Sequence, residues 1–159
     1  MPASAVTPAP APRRDLFVYV ASIVLIVGAA VYAFAAFSMA GGLILYDQIV
    51  TSATKTQLEN WPSRQALGLL LASYTIDAAL FLVAGILGVR GASILERAPR
   101  LLAWAVVVVV FHLVALIVGF QHGSGTGEIL GFAAAVLFLV ATIIMRKRAG
   151  SLPRNKPHK

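Results

Sequence analysis

Two side chains in this sequence could carry proton chemistry in an apolar setting. Asp77 interrupts the run Ala66 to Val89, and His112 interrupts the run Leu101 to Phe120. A carboxylate and an imidazole within reach of each other can pass a proton or hold a cation, and imidazole changes charge near neutral pH. Asp77 lies 12 residues from the basic end of its run, ~18 Å along a helix, and His112 lies 11 residues from the same end of its own, ~16.5 Å. The runs are consecutive and joined by a short connection, so antiparallel helices would bring both groups to one depth. An aspartate at the centre of a membrane helix costs roughly 2.5–3.5 kcal/mol on the insertion scale, and an imidazole opposite it lowers that cost. Ser73 and Tyr74, four and three residues before Asp77, share its helical face. His112 shares a face with Ala105, Ala115 and Gly119, small residues that admit a neighbouring helix. The candidate constellation is therefore Asp77, His112, Tyr74 and Ser73. It reads as a proton or cation relay, or more plainly as a structural hydrogen bond between two helices. The essentially apolar stretch from Phe81 to Val89 offers a relay no polar path on that side.

The elements that position these residues follow from hydropathy. The chain has 159 residues, 59% hydrophobic and 12% charged, with a mean hydropathy of +0.86. A soluble domain is about 45–50% apolar and about 25% charged, so a soluble fold is excluded. A bilayer core about 30 Å thick needs roughly 17–25 apolar helical residues. Four runs reach that length: 16–46, 66–89, 101–120 and 129–145. Val106 to Val110 is β-branched throughout, but an open strand in lipid leaves its backbone groups unsatisfied, so helix is expected there too. The expected fold is all-α, an integral membrane four-helix bundle over residues 16–145. The first run exceeds one crossing, so it is expected to tilt or to break at Gly41-Gly42. Ser38-Met39-Ala40 has the small residues of a signal-peptidase site, but the apolar stretch before it is longer than a signal-peptide core, which favours a retained span.

The net charge of +7 is mainly a topology signal. Eleven of the 13 Lys and Arg residues fall on one side: Arg13 and Arg14, then Arg90, Arg97 and Arg100, then the six from Arg146 to Lys159. Lys55 and Arg64 fall on the other, balanced by Asp47, Glu59 and Glu128. Both termini are accordingly expected in the cytoplasm of a plasma (inner) membrane. Basic residues that flank spans do not make a nucleic-acid face, so no nucleic-acid partner is expected. Tyr19 and Trp104 are expected at the inner interface, Tyr46 and Trp61 at the outer one. Residues 1–15, opening MPASAVTPAPAPRR, and 146–159 read as disordered tails, the second basic enough to lie on anionic lipid. Pro62 is expected at or near the first turn of the second span. His122 to Gly127 is Gly-rich, but no strand precedes it and no Lys-Ser/Thr follows, so a turn is expected rather than a phosphate loop.

The sequence contains no cysteine, HExxH, nucleophile elbow or paired carboxylates. His112 and His122 are ten residues apart, ~15 Å along one helix, and cannot share one metal. No cofactor and no metal site is expected, and an enzyme is not the favoured reading. Gly127, Gly131 and Ala135 form a ridge of small residues on the fourth span, and Ala84 and Gly88 a shorter one on the second. Such ridges mark helix packing, within the bundle or onto a partner. The stretch Gly85-Ile-Leu-Gly-Val-Arg90, the basic turn after it and a last span ending Arg146-Lys147-Arg148 resemble a pattern of small four-span bacterial membrane proteins. The Ala-, Val- and Arg-rich composition resembles actinobacterial proteins. Small multidrug-resistance transporters also have four spans, but with an essential acid in the first, which this chain lacks.

The favoured expectation is a non-catalytic accessory or assembly subunit of a larger membrane complex, respiratory or cell-envelope, in contact with membrane lipids and a membrane-protein partner. The alternative is a small homo-oligomeric transporter or channel using Asp77 with His112. A third reading, an enzyme acting on a lipid-soluble substrate, would need Asp77, His112 and Tyr74 together.

Overall fold

The computed structural model describes residues 15–54, 62–121 and 125–151. These form α1 (Leu16–Ile44), a short α2 (Tyr46–Ser52), α3 (Arg64–Gly91), a 3-10 turn (Leu95–Arg97), α4 (Ala98–Gln121) and α5 (Gly125–Ser151). The fold is an all-α four-helix bundle, and four of its helices are long and apolar enough to cross a membrane by length and composition. Residues 1–14, 55–61 (with Trp61), 122–124 (with His122) and 152–159 lie outside the described residues, and Gly125 to Gly127, expected in a turn, open α5.

Around the bundle the order is α1, α3, α4, α5. The heaviest packing is α1 on α3 and α4 on α5, and α1–α5 and α3–α4 contacts close the ring. Sequential helices are therefore neighbours and run antiparallel, as short connections require. The described chain ends meet at one end of the bundle, called the terminal end below. There Asp15 accepts from the amides of Phe17 and Val18 at 3.2 and 3.3 Å, capping α1. Its other carboxylate oxygen takes a hydrogen bond from Arg148 of α5 at 3.1 Å, and its own amide donates to Ala92 O, just past α3, at 2.7 Å. Asp15 thus ties three helices together, its carboxylate holding α1 and α5 and its backbone amide the end of α3. Asp15→Ala should lower stability by about 1–2 kcal/mol through the lost cap. Arg148→Ala should cost about 0–1 kcal/mol because that guanidinium is largely exposed. Thermal unfolding in detergent, followed by circular dichroism, would rank the two.

Several boundaries differ from those the hydropathy suggests. The first helix does not break at Gly41-Gly42: it runs through both and ends at Ile44, followed by Leu45 at φ −90°, ψ 4°. A Cβ at either glycine would meet nothing within 4 Å, so no neighbour forces a bend there. At 29 residues α1 is ~43 Å long, more than one crossing needs. Pro62 stands directly before the cap of α3, near its first turn as expected. Ser63 is the cap, accepting from Ala66 N at 3.2 Å. Residues 146–151, which composition leaves in a disordered tail, continue α5. The Arg148 contact to Asp15 and the Ser151 hydroxyl on Arg148 O hold this last turn, and its basic residues complement the negative C-terminal end of the helix. Asp15, placed in the N-terminal tail by its surroundings in sequence, is the α1 cap.

The core is small-residue packing between α1 and α3, widened by Phe81 and Phe138. Val18, Ala21, Leu25 and Ala29 of α1 are buried against Phe81 and Ala84 of α3. The close approach depends on Gly85. A Cβ there would fall 2.6 Å from Ile26 Cγ1 and 2.9 Å from the backbone oxygen of Ser22, which cannot swing away. Gly85→Ala should destabilise by about 1–3 kcal/mol through overpacking. Gly68→Ala on the same helix, where a Cβ meets nothing within 4 Å, should instead be stabilising by about 0.5–1 kcal/mol. Unfolding of both variants in detergent would check the contrast.

Candidate functional site

Asp77 on α3 and His112 on α4 meet inside this bundle. Nε2 of His112 lies 3.4 Å from Oδ1 of Asp77, and both side chains are 0% exposed. The helices bring them together by register: Asp77 is on the buried face of α3 with Phe81, Ala84 and Gly88, and His112 is on the buried face of α4 with Ala105 and Val108.

The imidazole is held from two directions. Its Nδ1 lies 3.0 Å from the carbonyl oxygen of Val108, one turn earlier on α4. Phe81 stacks on the ring at a centroid distance of 4.5 Å and an interplanar angle of 22°. A carbonyl oxygen only accepts, so Nδ1 must carry the hydrogen. Neutral imidazole then turns the lone pair of Nε2 toward the carboxylate. Two lone pairs facing each other at this distance repel unless a proton sits between them. The pair therefore holds one proton, as carboxyl with imidazole or as carboxylate with imidazolium. Either arrangement is neutral overall, the condition for burying such groups.

Among the described residues, four buried side-chain polar atoms have no hydrogen-bond partner: Oδ1 and Oδ2 of Asp77, Nε2 of His112 and Oε2 of Glu128. Ser73 interacts with Asp77 from one turn earlier on α3, without a hydrogen bond of full geometry. Buried polar groups are nearly always partnered, so this concentration of orphans on three residues singles them out as the candidate site.

Two further residues belong to this site, and the sequence reading did not select them. By sequence Glu128 is an outer-side acid that balances Lys55 and Arg64. It stands in the first turn of α5, half-buried, and acts electrostatically on Asp77, Tyr32 and Tyr74. Its position at the edge of an apolar run gave no hint of the inward direction. Tyr32 of α1 is buried, with its ring centroid 6.1 Å from His112, 5.5 Å from Phe81 and 6.0 Å from Tyr74. Its signal was present in the spacing, since Leu25, Ala29, Tyr32 and Ala36 lie on one buried stripe.

The small-residue ridges pack within the bundle. Ala84 and Gly88 are buried, and a Cβ on Gly88 would collide with Ser22 Oγ and lie 2.8 Å from Phe138. On α5, Ala135 is buried, Gly127 lies in the first turn, and a Cβ on Gly131 would collide with the Tyr32 hydroxyl and lie 2.9 Å from His112 Cδ2. Gly131 thus lets α5 come close enough to seat Tyr32 beside the imidazole. A lateral groove of about 450 Å³ runs between α1, α3 and α5, with Tyr32, Tyr74 and Phe81 among its lining residues and otherwise apolar walls such as Val27, Val31 and Leu130. Among the described residues no three His, Asp or Glu side chains converge as metal ligands would.

No protein-family model, no curated protein and no solved structure matches this chain.

Proposed function

We propose that this chain is a multi-pass protein of a bacterial plasma (inner) membrane, with both termini in the cytoplasm, that acts as a small homo-oligomeric transporter with Asp77 and His112 as its intramembrane proton or cation site. The observation that supports this reading is the fully buried Asp77–His112 pair, whose carboxylate oxygens and Nε2 have no other hydrogen-bond partner. A purely structural interhelical bond would be expected to have its polar atoms satisfied. The outward faces of the helices, with Phe34, Phe37, Val107, Val110 and Leu130 exposed, suit contact with lipid tails. The basic residues at the terminal end support its assignment to the cytoplasm. Four helices enclose little space, so a homo-oligomer is the form in which a pathway could be built.

A second reading, the accessory subunit of a larger complex, is favoured by the apolar packing between Asp77 and the terminal end. Purification of the full chain from native membranes in mild detergent, followed by reconstitution, separates the two. The transporter reading expects a monomer or homo-oligomer that passes protons or sodium under a valinomycin-set potential. Entrapped pyranine and a sodium dye would read this flux. Stoichiometric recovery with other proteins, and no flux of either ion from the isolated chain, would replace it with the subunit reading.

A further inference from the structure

We infer that in this conformation the Asp77–His112 pair exchanges its proton with one end of the bundle, the end opposite the described termini, and that Glu128 is the carboxylate that carries it. This rests on the proton site proposed above and adds the direction of access and the residue that provides it.

The two halves of the interior differ in chemistry. Toward the terminal end the pair is followed by Phe81, which lies flat on the imidazole, and then by the buried side chains of Leu25, Ala84, Ala105, Val108 and Phe138. Among the described residues two hydroxyls are fully buried in that half, and both are committed to their own helices, while half-buried Tyr19 and the Asp15 carboxylate stand at its outer edge, in the first turn of α1 and at its cap. Ser22 donates to Val18 O at 2.6 Å, and Thr142 donates to Leu139 O at 2.8 Å. Neither is left to relay a proton, and the aromatic and aliphatic packing excludes water. Toward the opposite end, every helix of the ring brings a polar group to the pair. Tyr32 comes from α1, Ser73 and Tyr74 from α3, His112 itself from α4 and Glu128 from α5. Glu128 stands three residues before Gly131, and so on the same face of α5 that receives the Tyr32 hydroxyl. Its Oε2 is buried and unpartnered, as are both oxygens of Asp77 and Nε2 of His112. A carboxylate and an imidazole each bind and release a proton, so a proton, with water as its vehicle, is the species that suits them.

The transfer is simple in its balance. The O–H or N–H bond holding the proton of the pair breaks, an O–H bond forms on the Glu128 carboxylate, and Glu128 then releases the proton to water at its own end. Charge moves with the proton, and no oxidation or reduction is involved.

The test uses the full chain with a C-terminal epitope tag, in liposomes sorted by tag accessibility so that orientation is known. The interior pH is clamped with trapped buffer and the exterior is switched while infrared absorption is recorded. The carboxyl band of Asp77 is identified by its loss in Asp77→Asn. The band should follow the pH of the compartment at the Glu128 end promptly, and that of the other only at the slower rate of transport turnover. Glu128→Gln should slow its response by at least about 100-fold, the lower end of what a positioned proton-transfer group contributes, and Glu128→Asp should restore most of the rate. A band that follows the terminal-end pH, or both sides equally, overturns one-sided access while leaving the proton site standing. An unchanged rate in Glu128→Gln overturns the role of that residue. A band that responds to neither side overturns this inference together with the proton site. The wild-type sidedness stands as a result even if a Glu128 variant misfolds.

Discussion

Asp77→Asn should reduce ion flux in reconstituted liposomes to that of protein-free vesicles while the protein stays folded and inserted. Asparagine keeps the size and shape of aspartate and can donate its amide hydrogen to His112 Nε2, while Nδ1 remains on Val108 O. It cannot release a proton at any working pH, so the pair loses its one transferable proton. Removal of the carboxylate also removes its insertion penalty of roughly 2.5–3.5 kcal/mol, so membrane integration should be as good or better. Flux is read with entrapped pyranine under a valinomycin-set potential, and folding by circular dichroism and gel filtration. Wild-type flux from a folded Asp77→Asn protein would remove Asp77 from any coupling role and leave the pair a structural feature.

Phe81→Ala should show the largest loss of stability of any single truncation in the bundle interior, about 3 kcal/mol. This is the lower end of the range for deleting a buried phenylalanine, which loses its transfer term and leaves a cavity. The lower end applies because the alternative surroundings of a membrane helix are apolar, so packing loss is the main cost. Phe81 is 1% exposed, stacks on His112 at 4.5 Å and meets Tyr32 edge-on at 5.5 Å. The same truncation removes the ring between the pair and the terminal half, so the Asp77 carboxyl band should respond promptly to both compartments. Leu82→Ala, at a largely exposed neighbouring position, should cost far less. Denaturant titration in detergent gives the stability difference. Equal losses for Phe81→Ala and Leu82→Ala would show that the ring bears little of the packing. Should Phe81→Ala fail to fold, Phe81→Leu keeps enough volume for the sidedness measurement.

These expectations separate what could be read along the chain from what required three dimensions. Hydropathy was sufficient for the four helices because in lipid a backbone has few ways to satisfy its polar groups, and an apolar run of this length must become a helix. Antiparallel order followed from short connections, and a shared depth for Asp77 and His112 followed from counting 1.5 Å per residue. Depth, however, does not give rotation. Whether the two side chains face each other depends on how α3 and α4 turn about their axes, and that is set by contacts such as Phe81 on His112 and Gly85 against the Ser22 backbone, which are distant in sequence. Helix ends were displaced from the hydropathic limits for a related reason. Arg148 continues α5 because Asp15, 133 residues away, receives it. Glu128 marks the limit most clearly. Its sequence neighbours are those of a loop acid beside an apolar run, and only the packing of α5 against Tyr32 turns it inward toward Asp77. By itself the sequence determined that this is a four-helix membrane bundle with a carboxylate and an imidazole at mid-depth. The tertiary structure alone decided that they form one pair, that Tyr32 and Glu128 join them, and that the polar atoms lie on one side of the pair, because side-chain direction in a bundle is set by long-range packing.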